Sequence, residues 1–167
     1  AECTEQGVVV FNTPGANANA VKELVLCGLL LASRGVVPGI RFADSQTEVS
    51  GYAELSKLME QEKKRFKGNE IAGKTLGVVG LGAIGSLVAE MAIGLGMEVK
   101  GFDPALSVEA AWRLPNQVER IENLSVLVAG SDYISLHLPV LDSPRKLIDA
   151  SMFAAMSQGT CLLNFAR

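Results

Sequence analysis

Two hydrophobic periods alternate along this chain. Short apolar runs rich in β-branched residues stand at 8–11 (Val8-Val9-Val10-Phe11), 75–79 (Thr75-Leu76-Gly77-Val78-Val79), 97–102, 132–138 and 160–165, with a weaker one at 117–121. Most of the stretches between them carry helical spacing. Strands that are apolar throughout, rather than at every second position, suit a sheet covered on both faces, so the alternation predicts an α/β fold with a parallel sheet. The clearest unit spans 75–102: a strand, an amphipathic helix over 84–95 and a second strand form one βαβ unit of about thirty residues.

The remaining helical stretches differ in character. Residues 17–34, which Asn17 or Asn19 can cap, are apolar on more than one face (Val21, Leu24, Val25, Leu29, Leu31, Ala32), the pattern of a buried helix. Gly35 is expected to stop it as a C-cap, with Pro38 just beyond. Residues 36–51 show no sustained period and are expected to be loop. A polar helix over 52–66 then ends in the basic run Lys63-Lys64-Arg65-Phe66-Lys67, a solvated last turn suited to the helix macrodipole. Further short helices are expected at 107–113, 123–129 and 151–156, and no internal repeat or low-complexity segment interrupts the pattern.

Composition narrows the function classes. A chain of 167 residues with 49% hydrophobic and 20% charged residues is one domain with a core of its own. Fifteen basic against eighteen acidic residues give a formal charge of −3, which leaves no electrostatic footprint for nucleic acid or an anionic membrane. The longest apolar run, 24–32, is nine residues and too short to span a bilayer, and no basic region precedes it to make a signal peptide. The expectation is a soluble protein with small molecules or proteins as partners. Cys3, Cys27 and Cys161 lie far apart and match no metal-ligand spacing, so they read as free thiols of a reducing compartment, the cytoplasm, with no metal site.

The chemistry concentrates after the strand at 75–79. Gly80-Leu81-Gly82-Ala83-Ile84-Gly85 stands between a strand and a helix: Gly80 permits a tight turn, Gly82 lets backbone approach a pyrophosphate, and Gly85 allows close packing of helix on strand. The helix start offers N–H groups to the phosphates. Asp103, eighteen residues past Gly85 at the end of the next strand, is placed to accept from ribose hydroxyls or to cap the turn with Pro104. A 2′-phosphate there would meet that carboxylate with no cation beside it, since Lys100 falls on the opposite strand face, so NAD is favoured over NADP. His137, the one histidine, stands at a strand's carboxyl end, where α/β ligands bind, though backbone groups can equally satisfy it. Arg167 holds the same topological place after the last strand, as a carboxylate anchor or a frayed end.

At these residues the chain resembles the D-isomer-specific 2-hydroxyacid dehydrogenases. The likeness runs from Val8 onward, through Asn12-Thr13-Pro14-Gly15-Ala16-Asn17 with Ala20-Val21-Lys22-Glu23, the stretch from Gly73-Lys74-Thr75 to Gly85, Ser135-Leu136-His137-Leu138-Pro139, and Leu163-Asn164-Phe165-Ala166-Arg167. The resemblance implies a Rossmann-type doubly wound parallel sheet with helices on both faces, cut after its fifth strand. Residues 1–14 would close the substrate domain and its crossover, and 15–167 would form the NAD-binding domain. Ala83 and Ile84 would give amides to the pyrophosphate and Asp103 would hold the ribose. His137 and Pro139 would border the adenosine side and Ala166 the nicotinamide, while Arg167 would grip the substrate's carboxylate and keto oxygen.

The family's catalytic histidine and its glutamate fall beyond Arg167, so these 167 residues alone are expected to bind NAD without turning substrate over. Within the family the likeness points to oxidation of D-3-phosphoglycerate to 3-phosphohydroxypyruvate, the first step of L-serine biosynthesis. Dehydrogenases of glyoxylate, hydroxypyruvate or D-lactate, and an NAD-sensing, corepressor-like binding protein, are the alternatives. The stretch 36–68 is longer than the commonest family pattern. With the helix before it, it would build a homodimer contact through Leu24, Leu31, Val36, Val37, Ile40 and Phe42.

Overall fold

A computed structural model describes residues 2–11, 13, 15–49, 51–138 and 147–166. Five strands, β1 (Thr75–Val79), β2 (Glu98–Phe102), β3 (Glu119–Arg120), β4 (Tyr133–Leu136) and β5 (Cys161–Asn164), form one parallel sheet in the order β3-β2-β1-β4-β5. The chain winds outward from β1 to β3, then returns past β1 to lay down β4 and β5. The strand order therefore reverses between β1 and β4, and in such sheets the crevice at that reversal receives ligands. Register fixes what meets there. Val79 is level with Phe102 on one side and Leu136 on the other, so the residues that follow, Gly80, Asp103 and His137, share one rim.

Both faces of the sheet are covered, as the continuous apolar strands require. After a short first helix, α1 (Glu2–Glu5), the chain sets α2 (Ala18–Ser33) and α5 (Ala83–Gly94) on one face of the sheet, where they bury Val25, Leu29, Val88 and Ala92 against Leu76, Val78 and Val99. On the other, Val79 and Ile134 pack with Leu124, Leu127 and Val128 of α7 (Leu124–Ala129), and Met152 of α8 (Ala150–Ala155) joins them. Gly77 sets the depth of that contact, because a Cβ there would lie 2.5 Å from Leu127 Cδ2. Both short helices start on side-chain caps: Asn123 accepts from the Ser125 N–H, and Asp149 from the N–H groups of Ser151 and Met152. A buried pair fastens α2 to the sheet, the Ser33 hydroxyl lying 2.8 Å from the Tyr133 hydroxyl while donating to Leu29 O.

The core expectations are met to within two residues at most strand and helix ends, and five local ones are corrected. Residues 8–11 are not a strand. They are extended and open to solvent, Phe11 at 89% exposure, because no described strand offers them a ladder. Residues expected to be loop instead form α3 (Val36–Asp44). Pro38 is its third residue, where the missing N–H has no intrahelical partner to lose, so a residue read as a breaker is compatible with a helix start. Gly35 is not a left-handed cap. Arg34 ends α2 in extended backbone, and Gly35 begins α3 with its Cα against the next segment: a Cβ would meet Phe66 Cα at 2.6 Å.

The polar helix is α4 (Tyr52–Glu62), followed by a 3-10 turn, Lys63–Phe66. Its basic run is more engaged than a solvated turn needs to be. Arg65 pairs with Glu62 and lies 5.7 Å over the Phe42 ring and 5.6 Å over Phe66, clipping the turn to α3. The expected helix over 107–113 shrinks to α6 (Val108–Ala111). Among the described residues no single helix is long and apolar enough to cross a membrane.

Candidate dinucleotide site

The glycine loop links β1 to α5, and two of its three glycines are dictated by the protein's own packing. Gly80 has φ +95°, and a Cβ there would sit 2.8 Å from His137 C and Leu138 N, so the β1 loop lies directly on the backbone leaving β4. At Gly85 a Cβ would fall 1.8 Å from Gly80 O, which forbids any side chain. Gly82 is different. Its φ of −71° suits any residue, and among the described residues nothing lies within 4 Å of a Cβ placed there. It opens onto free space at the N-cap of α5, where the N–H groups of the first turn have no intrahelical partners.

Asp103 ties this loop to the end of β2. Its Oδ2 accepts from Leu81 N–H at 2.8 Å and its Oδ1 from Ala105 N–H at 2.9 Å. Each oxygen keeps a lone pair for a further donor. The turn-capping role foreseen as an alternative is thus present, and the bond to Leu81 adds to it. Lys100 is turned away, its Nζ 3.2 Å from where a Gly130 Cβ would stand, at the end of α7. Sequence reasoning missed Arg120. Parallel pairing of Gly101 with Arg120 brings it to the same groove of about 660 Å³ as Asp103, so the expectation that no cation shares that groove is corrected; its guanidinium lies 3.6 Å from Glu122.

His137 is held from two sides. Its backbone N–H donates to Val79 O at 2.7 Å, and its Nε2 is hydrogen-bonded to the fully buried Ser135 hydroxyl at 2.8 Å, two positions back on the same strand face. Its Nδ1 is buried and has no partner among the described residues. Burial pulls the pKa down to about 4, so the ring is neutral near pH 7. His137 lines a cleft of about 310 Å³ together with Asn17, Ile84, Leu138, Phe165 and Ala166.

The far wall of that cleft is set by a turn after β5, in which Asn164 Oδ1 accepts from Ala166 N–H at 3.0 Å. Gly28 on α2 leaves room for the Phe165 ring, which would lie 3.3 Å from a Cβ there. The structure therefore brings Ile84, His137 and Ala166 to one cleft, and Gly80, Asp103 and Gly85 to its adjoining rim. Pro139 and Arg167 lie outside the described residues. Asn17, expected only as a cap, is the N-cap of α2 without a side-chain capping bond, while Asn19 bonds to Glu23 at 2.7 Å. Asn17, Ser135 and Phe165 fall inside the family-like segments 12–17, 135–139 and 163–167, but the sequence reading singled out none of them as a cleft or support residue.

Comparison with known proteins gives this geometry a family. The sequence model described as D-isomer specific 2-hydroxyacid dehydrogenase, NAD binding domain, matches residues 37–167. The chain is 37% identical to a D-3-phosphoglycerate dehydrogenase of Methanocaldococcus jannaschii over 164 residues, covering 98% of this chain and 28% of that protein. It is 39% identical to a hydroxypyruvate reductase of Thermotoga maritima, covering 98% and 47%. In structure it is similar to apo D-mandelate dehydrogenase of Rhodotorula graminis, with TM-score 0.77 at 31% identity, covering 99% of this chain and 46% of that one. The chain spans half or less of the length of these relatives. With these matches, and with a five-stranded sheet whose reversal point carries the glycine loop, the chain belongs to the D-isomer-specific 2-hydroxyacid dehydrogenases, as their NAD-binding domain.

Proposed function

We propose that the protein is an NAD-dependent oxidoreductase that oxidises a small D-2-hydroxy acid at C2, D-3-phosphoglycerate before others, with residues 15–167 holding the cofactor and 1–14 leading out of a substrate domain. The observation that carries this reading is the open face at Gly82 on the same rim as the Asp103 carboxylate, a cradle for a pyrophosphate beside an acceptor for a ribose diol. The relative named D-3-phosphoglycerate dehydrogenase supports the substrate. The relative named hydroxypyruvate reductase favours hydroxypyruvate as the second reading.

Bound NAD supplies a hydride acceptor. In this reading the N–H groups of Ala83 and Ile84 face its pyrophosphate, Asp103 takes the ribose hydroxyls, and Ala166 borders the nicotinamide across the cleft from Ile84. Arg167 is assigned the substrate carboxylate and Pro139 the adenosine side, both from the family likeness. His137, neutral and with Nε2 committed to Ser135, positions the cleft wall and is not assigned the proton of the C2 hydroxyl. The expected homodimer rests on an apolar groove of about 660 Å³ lined by Leu31, Val36, Ile40 and Phe66, with Leu24 also exposed. The free cysteines fit a cytoplasmic setting.

Calorimetric titration of the intact protein with NAD and NADP, and NADH-dependent reduction of 3-phosphohydroxypyruvate, hydroxypyruvate, glyoxylate and pyruvate, test the reading. NAD is expected to bind more tightly, and 3-phosphohydroxypyruvate to have the highest kcat/KM. Equal affinities for the two nucleotides would remove Asp103 as the discriminator. Absence of NAD binding would remove the function.

A further inference from the structure

We infer that Arg120 is a cofactor-specificity residue: it receives a 2′-phosphate on the adenosine ribose, so the protein takes NADP as a second, weaker nucleotide, and Glu122 holds that affinity down. The inference rests on the dinucleotide reading above and goes beyond it, because that reading gives the ribose to Asp103 and assigns no cation to it.

Strand pairing puts the two charges on one face. Gly101 is level with Arg120 across the ladder of β2 and β3, and Asp103 follows Gly101 by two positions, so all three share a side of the sheet. Leu81 marks that side. A Cβ at Gly101 would lie 2.8 Å from its side chain, and its N–H is the one that Asp103 holds. With 3.3 Å per residue along a strand and 4.8 Å between strands, the Cα atoms of Asp103 and Arg120 are about 8 Å apart. The groove they line, about 660 Å³ with Leu81, Leu106 and Val118 among its walls, has room for a phosphate between them.

Arg120 is free to change partners. Its guanidinium stands 3.6 Å from Glu122, with the two side chains 80% and 82% exposed, and so open a pair contributes little. A phosphate displaces it: the group carries more charge than a carboxylate and sets two oxygens against the planar guanidinium. Asp103 opposes that phosphate less than a bare carboxylate would. Each of its oxygens already accepts from a backbone N–H, at 2.8 and 2.9 Å, and these donors offset part of its field. A lone pair remains on each for the ribose hydroxyls of NAD, so NAD keeps the preference. Lys100, turned towards Gly130, takes no part.

Calorimetric titration of the intact protein with NAD and NADP tests the role. In Arg120→Ala the Kd for NADP is expected to rise about fivefold to thirtyfold, the scale of one exposed charge-assisted pair, while the Kd for NAD stays within twofold. Glu122→Gln should release the guanidinium and lower the Kd for NADP about twofold to fivefold, again without effect on NAD. R120A/E122Q should show no gain over R120A. Added salt should weaken NADP binding more steeply in the wild type than in R120A. An unchanged ratio of the two Kd values in R120A would overturn the inference, and an equal loss of both nucleotides would overturn it too, by making Arg120 a brace of the groove. Should R120A fail to fold, Arg120→Gln is read the same way. NAD binding with no NADP binding at millimolar concentration, in wild type and E122Q alike, also refutes it. A wild type that binds neither nucleotide refutes the dinucleotide reading itself, an outcome distinct from normal NAD binding with an unmoved NADP affinity.

Discussion

Replacing Asp103 separates two roles that one carboxylate combines. Its oxygens accept from Leu81 and Ala105 N–H groups at 2.8 and 2.9 Å. Leu81 is 3% exposed, so in Asp103→Ala its N–H loses a partner that water cannot easily replace, while Ala105 is exposed and its N–H turns to solvent. The stability loss is therefore close to that of one buried unsatisfied donor, about 2 kcal/mol, or roughly 4–8 °C in Tm for a chain of this size. NAD binding loses the ribose bonds in addition, about 1–3 kcal/mol, or roughly fivefold to 150-fold in Kd.

The sharper variant is Asp103→Asn. Because both oxygens face N–H donors, an amide must set its NH2 against one of them, so Asn is expected to be no milder than Ala in Tm. Calorimetric titration with NAD and thermal unfolding followed by circular dichroism read the two quantities separately. Wild-type Tm in D103N would refute the double acceptance. Wild-type Kd in D103A, with Tm lowered, would confine Asp103 to holding the loop.

The glycines give a paired test: Gly85→Ala drives a methyl against Gly80 O and should cost about 3 kcal/mol or abolish folding, whereas Gly82→Val should leave Tm near wild type and remove NAD binding. Normal NAD affinity in G82V would show that the open face is not the cradle. His137, with its pKa lowered to about 4 from 6.5, binds fewer protons folded than unfolded between those values. It contributes stability that is fully present above pH 6.5 and lost as pH falls towards 4, on the order of a few kcal/mol in all. Unfolding of wild type and His137→Gln across pH 4–7 should therefore converge at low pH, and parallel curves would contradict the burial. Sedimentation at micromolar concentration should give twice the monomer mass, and Leu31→Glu with Ile40→Glu should return it to one. A monomeric wild type would assign the groove to another contact within the intact protein.

The unit from β1 to β2 was fully legible because three signals coincide there: a continuous apolar strand, glycines at the turn and a carboxylate at the next strand end. The run at 8–11 misled because β-branched residues favour a strand only when a neighbour supplies the ladder. Helix α3 was hidden because Pro38 and Gly39 read as punctuation, although proline is compatible with a first turn. At the site, Asp103 was visible and its partner was not, since Leu81 is 22 positions away and contributes only an N–H. The pairing of Ser135 with His137 follows from strand alternation and could have been drawn; the place of Asn17 and Phe165 on one cleft depends on how α2 packs on the sheet, which no spacing reports.

The Ser33 and Tyr133 hydroxyls, buried and 2.8 Å apart, give α2 a pivot. Sixteen residues make a rod of about 24 Å, with the pivot at one end and Asn17 just beyond the other. Leu30 and Leu31, in the apolar groove, sit within a turn of the pivot. A tilt of about 5° there would swing the far end of the rod by roughly 2 Å. The apolar groove and the cleft beside His137 are thus the short and long arms of one lever, and a small displacement at the groove is amplified at the cleft.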